Sequence, residues 1–153
     1  MPNIKNIFTQ PVVDELVGRI EQLNNQTTPQ WGKMSVGQML AHVNVAYEMA
    51  FEKPPAKHNF FMRFIMMRMI KPIVVGPKPY KKNSRTAPAF KQTTEKDFNV
   101  EKERLFGYLK KTVDLGEKHF DGKVSNSFGP LTIKEWNTLF YKHLDHHLSQ
   151  FGV

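Results

Sequence analysis

The sequence predicts an all-α protein built as a four-helix bundle, with a long crossover between the second and third helices. Four stretches carry apolar residues at the helical repeat, two of them begin with a capping box, and none shows the alternation typical of a strand. A chain of 153 residues can bury a core of its own, so we expect a single domain over residues 1–153.

The first two helices are marked at their starts. The first is predicted over residues 10–25, with Thr9 as the N-cap and Pro11 in the first turn. The second starts at Ser35, which can form a capping box with Gln38, and runs to about residue 52. The predicted buried stripes are Val13, Leu16, Val17, Ile20 and Leu23 in the first helix, and Met39, Leu40, Val43, Ala46, Tyr47 and Ala50 in the second.

The last two helices lie in the C-terminal half of the chain. The third is predicted over residues 97–115 and the fourth over residues 133–151, where Thr132 and Glu135 form a second capping box. Gly152 suits the end of the fourth helix. The predicted buried residues are Phe98, Leu105, Leu109 and Val113 in the third helix, and Trp136, Leu139, Phe140 and Leu144 in the fourth.

The crossover, residues 53–96, has two unlike parts. Residues 60–75 are rich in Phe and Met but contain Arg63, Arg68 and Lys71, so they are too short and too charged to span a bilayer. We expect a short helix that stops before Pro72, followed by an extended, proline-containing part over residues 76–90. A basic amphipathic helix on a membrane surface is one interpretation of the first part. We favour a flap packed over one end of the bundle, because Met and Phe fill irregular gaps well.

The composition excludes several classes of site. The chain has no Cys, which rules out disulfides, thiolate metal ligands and a cysteine nucleophile. A net charge of +8 favours acidic partners. The densest basic patch lacks the motifs of specific nucleic-acid recognition, so we expect no specific nucleic-acid partner; it consists of Lys71, Lys78, Lys81, Lys82 and Arg85. Residues 1–10 do not resemble a signal peptide, and the expected location is the cytoplasm.

Three histidines are the candidate functional residues. His143 and His147 lie four residues apart in the middle of the apolar arc of the fourth helix, where two stacked imidazoles can aim ring nitrogens at one point. Such a pair is either half of a metal site or a hydrogen-bonded structural pair. His42, at the edge of the apolar stripe of the second helix, is the candidate third ligand, whereas His58 and His119 lie in polar contexts.

The positions of these histidines along their helices constrain the topology. His42 lies roughly 9 Å from the start of the second helix, and His147 and His143 lie roughly 6 and 12 Å from the end of the fourth. These levels match only if the two helices are antiparallel. The third helix must then run parallel to the second, which only a long crossover such as residues 53–96 allows.

Two blocks of this sequence resemble the DinB/YfiT-like superfamily. The first runs from Trp31 to Val43 and reads WGKMSVGQMLAHV, and the second runs from Phe128 through Trp136 and the histidine pair to Gly152. The resemblance covers nearly the whole chain. It is strongest to a branch of that superfamily known only as a domain of unknown function.

This resemblance implies a bundle of up-down-down-up topology. It also implies that His42, His143 and His147 hold a divalent metal, commonly nickel or zinc. Some members of the superfamily are similar to thiol-dependent transferases or isomerases that use bacillithiol, mycothiol or glutathione, in which the metal is thought to activate the thiol sulfur. The branch that this chain resembles has no such assignment to carry over.

The chemistry of three imidazoles narrows the functional classes. Three neutral histidines leave coordination positions for water or substrate, as catalytic zinc sites do. We therefore predict a metal-dependent enzyme, either a transferase that handles a low-molecular-weight thiol or a hydrolase that activates water. The alternative is a non-catalytic bundle protein that binds a metal or another ligand. The expected partner is a small-molecule substrate, and a homodimer is left open.

No catalytic acid or base can be named from the sequence. Glu48 and Asp145 are expected to point outward from their helices. His146 lies at the edge of the buried arc and is predicted to be a neighbour of the ligands or a surface residue, not a fourth ligand.

Overall fold

The computed structural model describes residues 3–153, which form a mostly helical protein with five helices and one small sheet. The helices are α1 (Gln10–Glu21), α2 (Val36–Phe51), α3 (residues 60–75), α4 (Phe98–Phe120) and α5 (Ile133–Gln150). Strands β1 (Val124–Ser125) and β2 (Gly129–Pro130) form an antiparallel hairpin between α4 and α5, and a 3₁₀ turn spans Pro88–Phe90. The prediction of a helical protein is confirmed, and the short hairpin was not predicted.

The capping boxes predicted for α2 and α5 are both present. The main-chain N–H of Gln38 donates to the Ser35 hydroxyl, and the Ser35 N–H donates back to the Gln38 side chain. Thr132 and Glu135 make the same reciprocal pair before α5. These bonds satisfy main-chain donors that would otherwise be left unpaired, and they fix where each histidine-bearing helix begins.

The limits of α1 and α4 differ from the prediction. Thr9 occupies the N-cap position of α1, but its hydroxyl donates to the carbonyl of Asn6 and accepts no capping bond. The helix ends at Glu21, four residues early. In α4 the regular helix is broken at Gly116, whose φ of 68° suits a residue without a Cβ, and further helical turns continue to Phe120. The predicted end near residue 115 therefore coincides with this kink.

The crossover contains α3, which continues past Pro72. It consists of an α-helical part (Phe60–Ile65), a π-helical turn (Met66–Ile70) and a second α-helical part (Lys71–Val75). The π turn widens the hydrogen-bond ladder just before the proline, which lacks an N–H, so the helix does not stop there. The expectation that it ends before Pro72 is wrong.

The predicted packing of the Phe/Met-rich stretch holds for only part of it. One side of α3 packs against the core through Met66, Met67, Ile70, Val74 and Val75. The first turns project from the body of the protein, and the rings of Phe60, Phe61 and Phe64 are exposed. The expectation of a flap packed on the bundle is therefore wrong for the first turns of α3, because the helix is anchored only from its middle onward.

Side-chain contacts define the relative directions of the helices that carry the histidines. His42 of α2 contacts His143 and His147 of α5, and five residues later Tyr47 stacks on Phe140 with ring centroids 4.6 Å apart. Residue numbers rise along α2 while they fall along α5. The two helices therefore run antiparallel.

The remaining directions follow in the same way. α2 and α4 run parallel, since three successive contacts keep their order: Asn44 with Glu101, Glu48 with Arg104, and Glu52 with Tyr108. α1 and α5 also run parallel. Contacts near their starts join Ile7 to Asn137, and contacts near their ends join Arg19 to Asp145 and Val153.

An aromatic layer lies in the core between α2, α4 and α5. Its members, Tyr47, Phe120, Trp136 and Phe140, are almost fully buried and contact one another with ring centroids 4.6 to 5.6 Å apart. Phe140 lies three residues before His143 on α5, and Tyr47, which stacks on it, lies five residues after His42 on α2, so this layer packs next to the level of the histidines. Among residues 3–153, no helix is long and apolar enough to cross a membrane.

Candidate metal centre

The three predicted histidines meet between α2 and α5. Each offers one ring nitrogen, and these nitrogens all lie within 4.8 Å of one another. The shortest separation is 3.0 Å, between Nε2 of His42 and Nε2 of His143. His42 and His147 are buried, and the ring of His143 lies among the rings of His42, His147, Phe90 and Tyr80.

A main-chain carbonyl from the crossover orients His42. Its Nδ1 lies 2.9 Å from the carbonyl oxygen of Phe90, in the 3₁₀ turn. A carbonyl can only accept, so Nδ1 carries the proton and Nε2 presents its lone pair to the centre. The crossover thereby sets the tautomer of a residue on α2.

Gln150 orients His147 in the same manner. Its Nε2 donates to the carbonyl of Trp31 at 2.7 Å, which leaves its Oε1 to face Nδ1 of His147, also at 2.7 Å. Nδ1 of His147 must then donate, and Nε2 is free to bind. Gly32 makes this arrangement fit, because a Cβ there would lie 2.6 Å from the Gln150 amide nitrogen and its φ is +84°.

The surroundings keep these imidazoles neutral. Burial lowers the pKa of His42, although the bond to Phe90 opposes this shift. Burial, assisted by the neighbouring histidines, lowers the pKa of His143 well below its ordinary value. Burial and then His42 lower the pKa of His147 to about 3. Neutral imidazole is the form that binds a metal, so all three residues are in the competent state at pH 7.

A groove of about 240 Å³ adjoins the cluster on the side of His146. His146 is half-buried, with its ring centroid 5.1 Å from that of His147 and 5.5 Å from that of Tyr80. The Lys82 ammonium group lies 4.1 Å from the centre of the Trp31 ring. The groove is lined by Trp31, Pro79, Tyr80, Lys82, Lys142, Asp145, His146 and Ser149. It offers a small molecule aromatic faces and positive charge beside the histidines.

Lys142 ties the crossover to α5 next to the centre. Its buried Nζ donates to the carbonyls of Ile73 at 2.8 Å, Gly76 at 2.6 Å and Lys78 at 3.1 Å. Burial lowers the pKa of Lys142 to about 8. Three carbonyls satisfy all three of its donors, so this residue holds the segment that leads to Tyr80 and Phe90.

The other predicted residues lie apart from the centre. Glu48 and Asp145 do not point freely outward as expected, because Glu48 pairs with Arg104 and Asp145 with Arg19. Both carboxylates are therefore engaged in helix-to-helix contacts. His58 and His119 are exposed, and neither belongs to the cluster.

Sequence reasoning missed Phe90 and Gln150, which orient the histidines, and Lys142, which holds the crossover beside them. Phe90 contributes only its main-chain carbonyl, which every residue type has. Lys142 lies in a helix with many polar residues, so its residue type did not set it apart. Gln150 did carry a signal, since it follows His147 by three residues and so lies on the same helical face.

The donor set fits a transition metal. Two nitrogens that each lie about 2.0–2.1 Å from one zinc ion can be no more than about 4.2 Å apart. The ring nitrogens of His42 and His143, 3.0 Å apart, meet that limit. All three nitrogens lie within 4.8 Å of one another, so a small movement of a side chain would bring the nitrogen of His147 to a shared ion as well. Imidazole suits zinc, nickel, copper and iron, whereas magnesium and calcium prefer oxygen.

Comparison with known proteins places the chain in a family. No curated protein and no solved structure gives a significant match. Residues 5–152, almost the full length, match the family described as "Protein of unknown function (DUF1569)". This chain belongs to the DUF1569 family.

Proposed function

We propose that His42, His143 and His147 bind one divalent transition metal, with nickel and zinc as the favoured ions. The observation that carries this proposal is the convergence of three neutral imidazoles, two of which have Nδ1 tied to an acceptor so that Nε2 faces the centre. Hydrogen-bonded histidines of this kind are typical of metal ligands. A purely structural pairing of His42 with His143 would not require Gln150 to hold Nδ1 of His147 as well, which leaves its Nε2 unprotonated beside them.

We also propose that the chain is a single four-helix-bundle domain of up-down-down-up topology and a member of the DinB/YfiT-like superfamily. The antiparallel pair α2 and α5 and the parallel pairs α2 with α4 and α1 with α5 support this order. α3 lies in the crossover and stands outside the four. The sequence blocks around His42 and His143 support the superfamily assignment.

The favoured activity is that of a metal-dependent transferase acting on a low-molecular-weight thiol, or of a hydrolase. A divalent cation in such a site lowers the pKa of a thiol or water that it binds. The chain itself supplies orientation and binding. Phe90 and Gln150 fix the ligand rings, and the groove beside His146 can receive a substrate.

The residues around the groove suit an anionic or aromatic small molecule. Lys82 and the rings of Trp31 and Tyr80 line it, and the Asp145 carboxylate there is paired with Arg19. His146 lines the groove and its ring centroid lies 5.1 Å from that of His147, so it is the candidate to exchange a proton with a bound substrate. Burial lowers the pKa of His146, which keeps it able to accept a proton at pH 7.

Metal content tests the site directly. Wild-type protein purified and dialysed against nickel or zinc should retain about one ion per chain by elemental analysis. His42→Ala, His143→Ala and His147→Ala should each lose most of it while the helical circular dichroism stays unchanged. His58→Ala, at an exposed histidine, is the matched control and should bind normally. Full occupancy in His143→Ala would overturn the proposal.

Thiol binding separates the enzyme from its alternative, a non-catalytic metal- or ligand-binding protein. The metal-loaded protein is screened for thermal stabilisation by bacillithiol, mycothiol and glutathione, and then for turnover with a panel of electrophiles and esters. Further stabilisation by one thiol, together with turnover that His146→Ala slows, supports the enzyme. Stabilisation by metal alone, without turnover, supports the binding protein.

A further inference from the structure

The outer side of α3 exposes an unusual amount of apolar surface. The exposed fractions are 88% for Phe60, 70% for Phe61, 54% for Phe64, 60% for Met69 and 58% for Ile73. These five residues form the α3 apolar face. They lie along a helix whose opposite side is anchored on the core, so the face is held outward by the fold. Contiguous apolar surface of this kind marks an interaction site.

The segment that carries this face also carries the positive charge of the protein. Residues 53–94 contain ten Lys or Arg residues and no Asp or Glu, whereas the remainder of the chain has twelve basic and fourteen acidic residues. Within residues 3–153, the ion pairs of this segment involve only Lys53 with Glu48 and Lys71 with Glu135. Lys57, Arg63 and Arg68, which flank the apolar face, are exposed and form no ion pair there.

We propose that the α3 apolar face docks on the surface of an anionic lipid membrane. A short helix with aromatic side chains and flanking cations matches the headgroup boundary, where Phe enters the acyl region and Lys and Arg meet lipid phosphates. Both features belong to one segment of the chain and point away from the core. Association is peripheral, because α3 is too short and, with Arg63, Arg68 and Lys71, too charged to span the bilayer.

The positive charge and the apolar side chains of residues 53–94 together favour an anionic membrane over a second copy of this chain or a nucleic acid. A second copy of this chain would bring two segments of equal positive charge together, and their repulsion opposes a symmetric dimer through α3. A nucleic-acid duplex would neutralise the charge but would leave the apolar side chains of the face in water, because its bases are already stacked and its outer surface is lined with phosphates. An anionic membrane satisfies both the charge and the apolar side chains.

Two sets of contacts fasten α3 to α5, the helix that carries two of the three histidines. Lys71 pairs with Glu135 at 2.9 Å, and Lys142 holds the carbonyls that end α3. These contacts fasten the helix to α5, the helix of His143 and His147. The docked face would therefore be presented by a rigid helix and not by a loose loop. This inference does not depend on the metal or on any activity.

Vesicle co-sedimentation of the full-length protein tests the proposal. The vesicles are phosphatidylcholine alone, or phosphatidylcholine with about 30% phosphatidylserine, which gives the negative surface potential of an anionic membrane. Wild-type protein should sediment with the anionic vesicles, less so as salt is raised, and should stay in solution with the neutral ones. Sedimentation with both vesicles to the same extent would overturn the proposal.

Two sets of variants locate the contact. Replacing Phe60, Phe61 and Phe64 together with Ala should weaken binding by more than about tenfold. Replacing Lys57, Arg63 and Arg68 together with Gln should weaken it by about a hundredfold at low salt. The matched controls carry Val100→Ala, Leu115→Ala and Val124→Ala, or Lys33→Gln, Lys118→Gln and Lys134→Gln, all at exposed positions elsewhere.

The remaining outcomes decide between occupants of the face. If a control set weakens vesicle binding as much as its matched set, contact through α3 is wrong. Sedimentation velocity on the same samples should show a monomer. A dimer that only the Phe60, Phe61 and Phe64 variant dissociates would show self-association and overturn the proposal, as would tighter binding to duplex DNA than to anionic vesicles.

Discussion

Gln150 determines the protonation of His147 through one amide group. The carbonyl of Trp31 can accept only from the amide nitrogen, so the amide oxygen must face His147. An irregular segment before α2 thus controls the state of a histidine near the end of the chain. Gly32 protects the arrangement, because any larger residue would displace the amide.

The Gln150→Leu variant should therefore bind metal more weakly. Leucine is close in size but cannot accept the Nδ1 proton, so His147 loses its fixed tautomer and orientation. We expect the affinity for nickel to fall by about 10- to 100-fold, the usual cost of losing such a partner, with the helical content unchanged. Isothermal titration measures this. The neighbouring Ser149→Ala variant is the control, and unchanged affinity in Gln150→Leu would show that the amide has no role.

For individual residues, the sequence predicts which side chains can meet but not which main-chain groups they contact. The histidines could be predicted because their spacing on amphipathic helices is visible in one dimension. The Phe90 carbonyl could not, since any residue type has one and only the path of the crossover brings it to His42. The engagement of Glu48 was also hidden, because its partner Arg104 lies more than fifty residues away.

Individual helices are joined by charged groups as well as by the core. Arg104 on α4 donates to Glu48 on α2 and to Glu101 on its own helix, and Lys53 adds a second contact to Glu48 at 3.3 Å. Burial disfavours the charged form of Glu48, but the bonds from Arg104 and Lys53 outweigh it and lower the pKa of Glu48 below its ordinary value. Ionised Glu48 therefore stabilises the contact between α2 and α4.

The pH dependence follows from the direction of that shift. The folded-state pKa is lowered, so the stabilisation is complete above about pH 5 and is lost as the pH falls through the folded-state value. Glu48→Gln should reduce the free energy of unfolding by about 1 kcal/mol at pH 7 and by less at pH 3.5. Urea titrations at both pH values measure this. Glu103→Gln, at an exposed carboxylate on α4, should change neither, and an equal loss at both pH values would contradict the assignment.

Lys142 gives a second test at the level of elements. In Lys142→Met the carbonyls of Ile73, Gly76 and Lys78 lose their donor. We expect a loss of about 1–3 kcal/mol in the free energy of unfolding and faster tryptic cleavage within residues 76–91. Urea unfolding and timed proteolysis check these outcomes. Lys134→Met, exposed on the same helix, is the control, and unaltered cleavage in Lys142→Met would mean that the crossover is held by other contacts.

Helix starts were easier to predict than helix ends. The capping boxes of α2 and α5 require particular residue types three positions apart, and both were found correctly from the sequence. The end of α1 and the continuation of α3 past Pro72 depend on tertiary packing and on a π turn, which leave no comparable pattern. The two-residue strands of the hairpin are too short to show an alternation.

For the whole molecule, the histidine centre joins parts of the chain that are far apart in sequence. His42 and His143 are separated by 101 positions, and their contact sits where antiparallel α2 and α5 meet. The sequence predicted this contact from the helix levels, because the start of α2 and the end of α5 each lie within one residue of the predicted position. It could not say how much of the crossover would pack, since that depends on which side of α3 finds the core. The exposed Phe60 and Phe61 are the result.

Because the proposed ligands lie on different helices, metal binding and folding should be coupled. An ion that binds only the folded chain stabilises it by about 2.7 kcal/mol when present at a hundred times its dissociation constant. We expect nickel to raise the free energy of unfolding of the wild type by this amount in urea titrations with an unchanged m value. His143→Ala should show no such rise, whereas His58→Ala should behave as the wild type. Magnesium, which prefers oxygen ligands, should have no effect on any of them. An equal rise for nickel in the wild type and in His143→Ala would mean that the stabilising ion binds elsewhere.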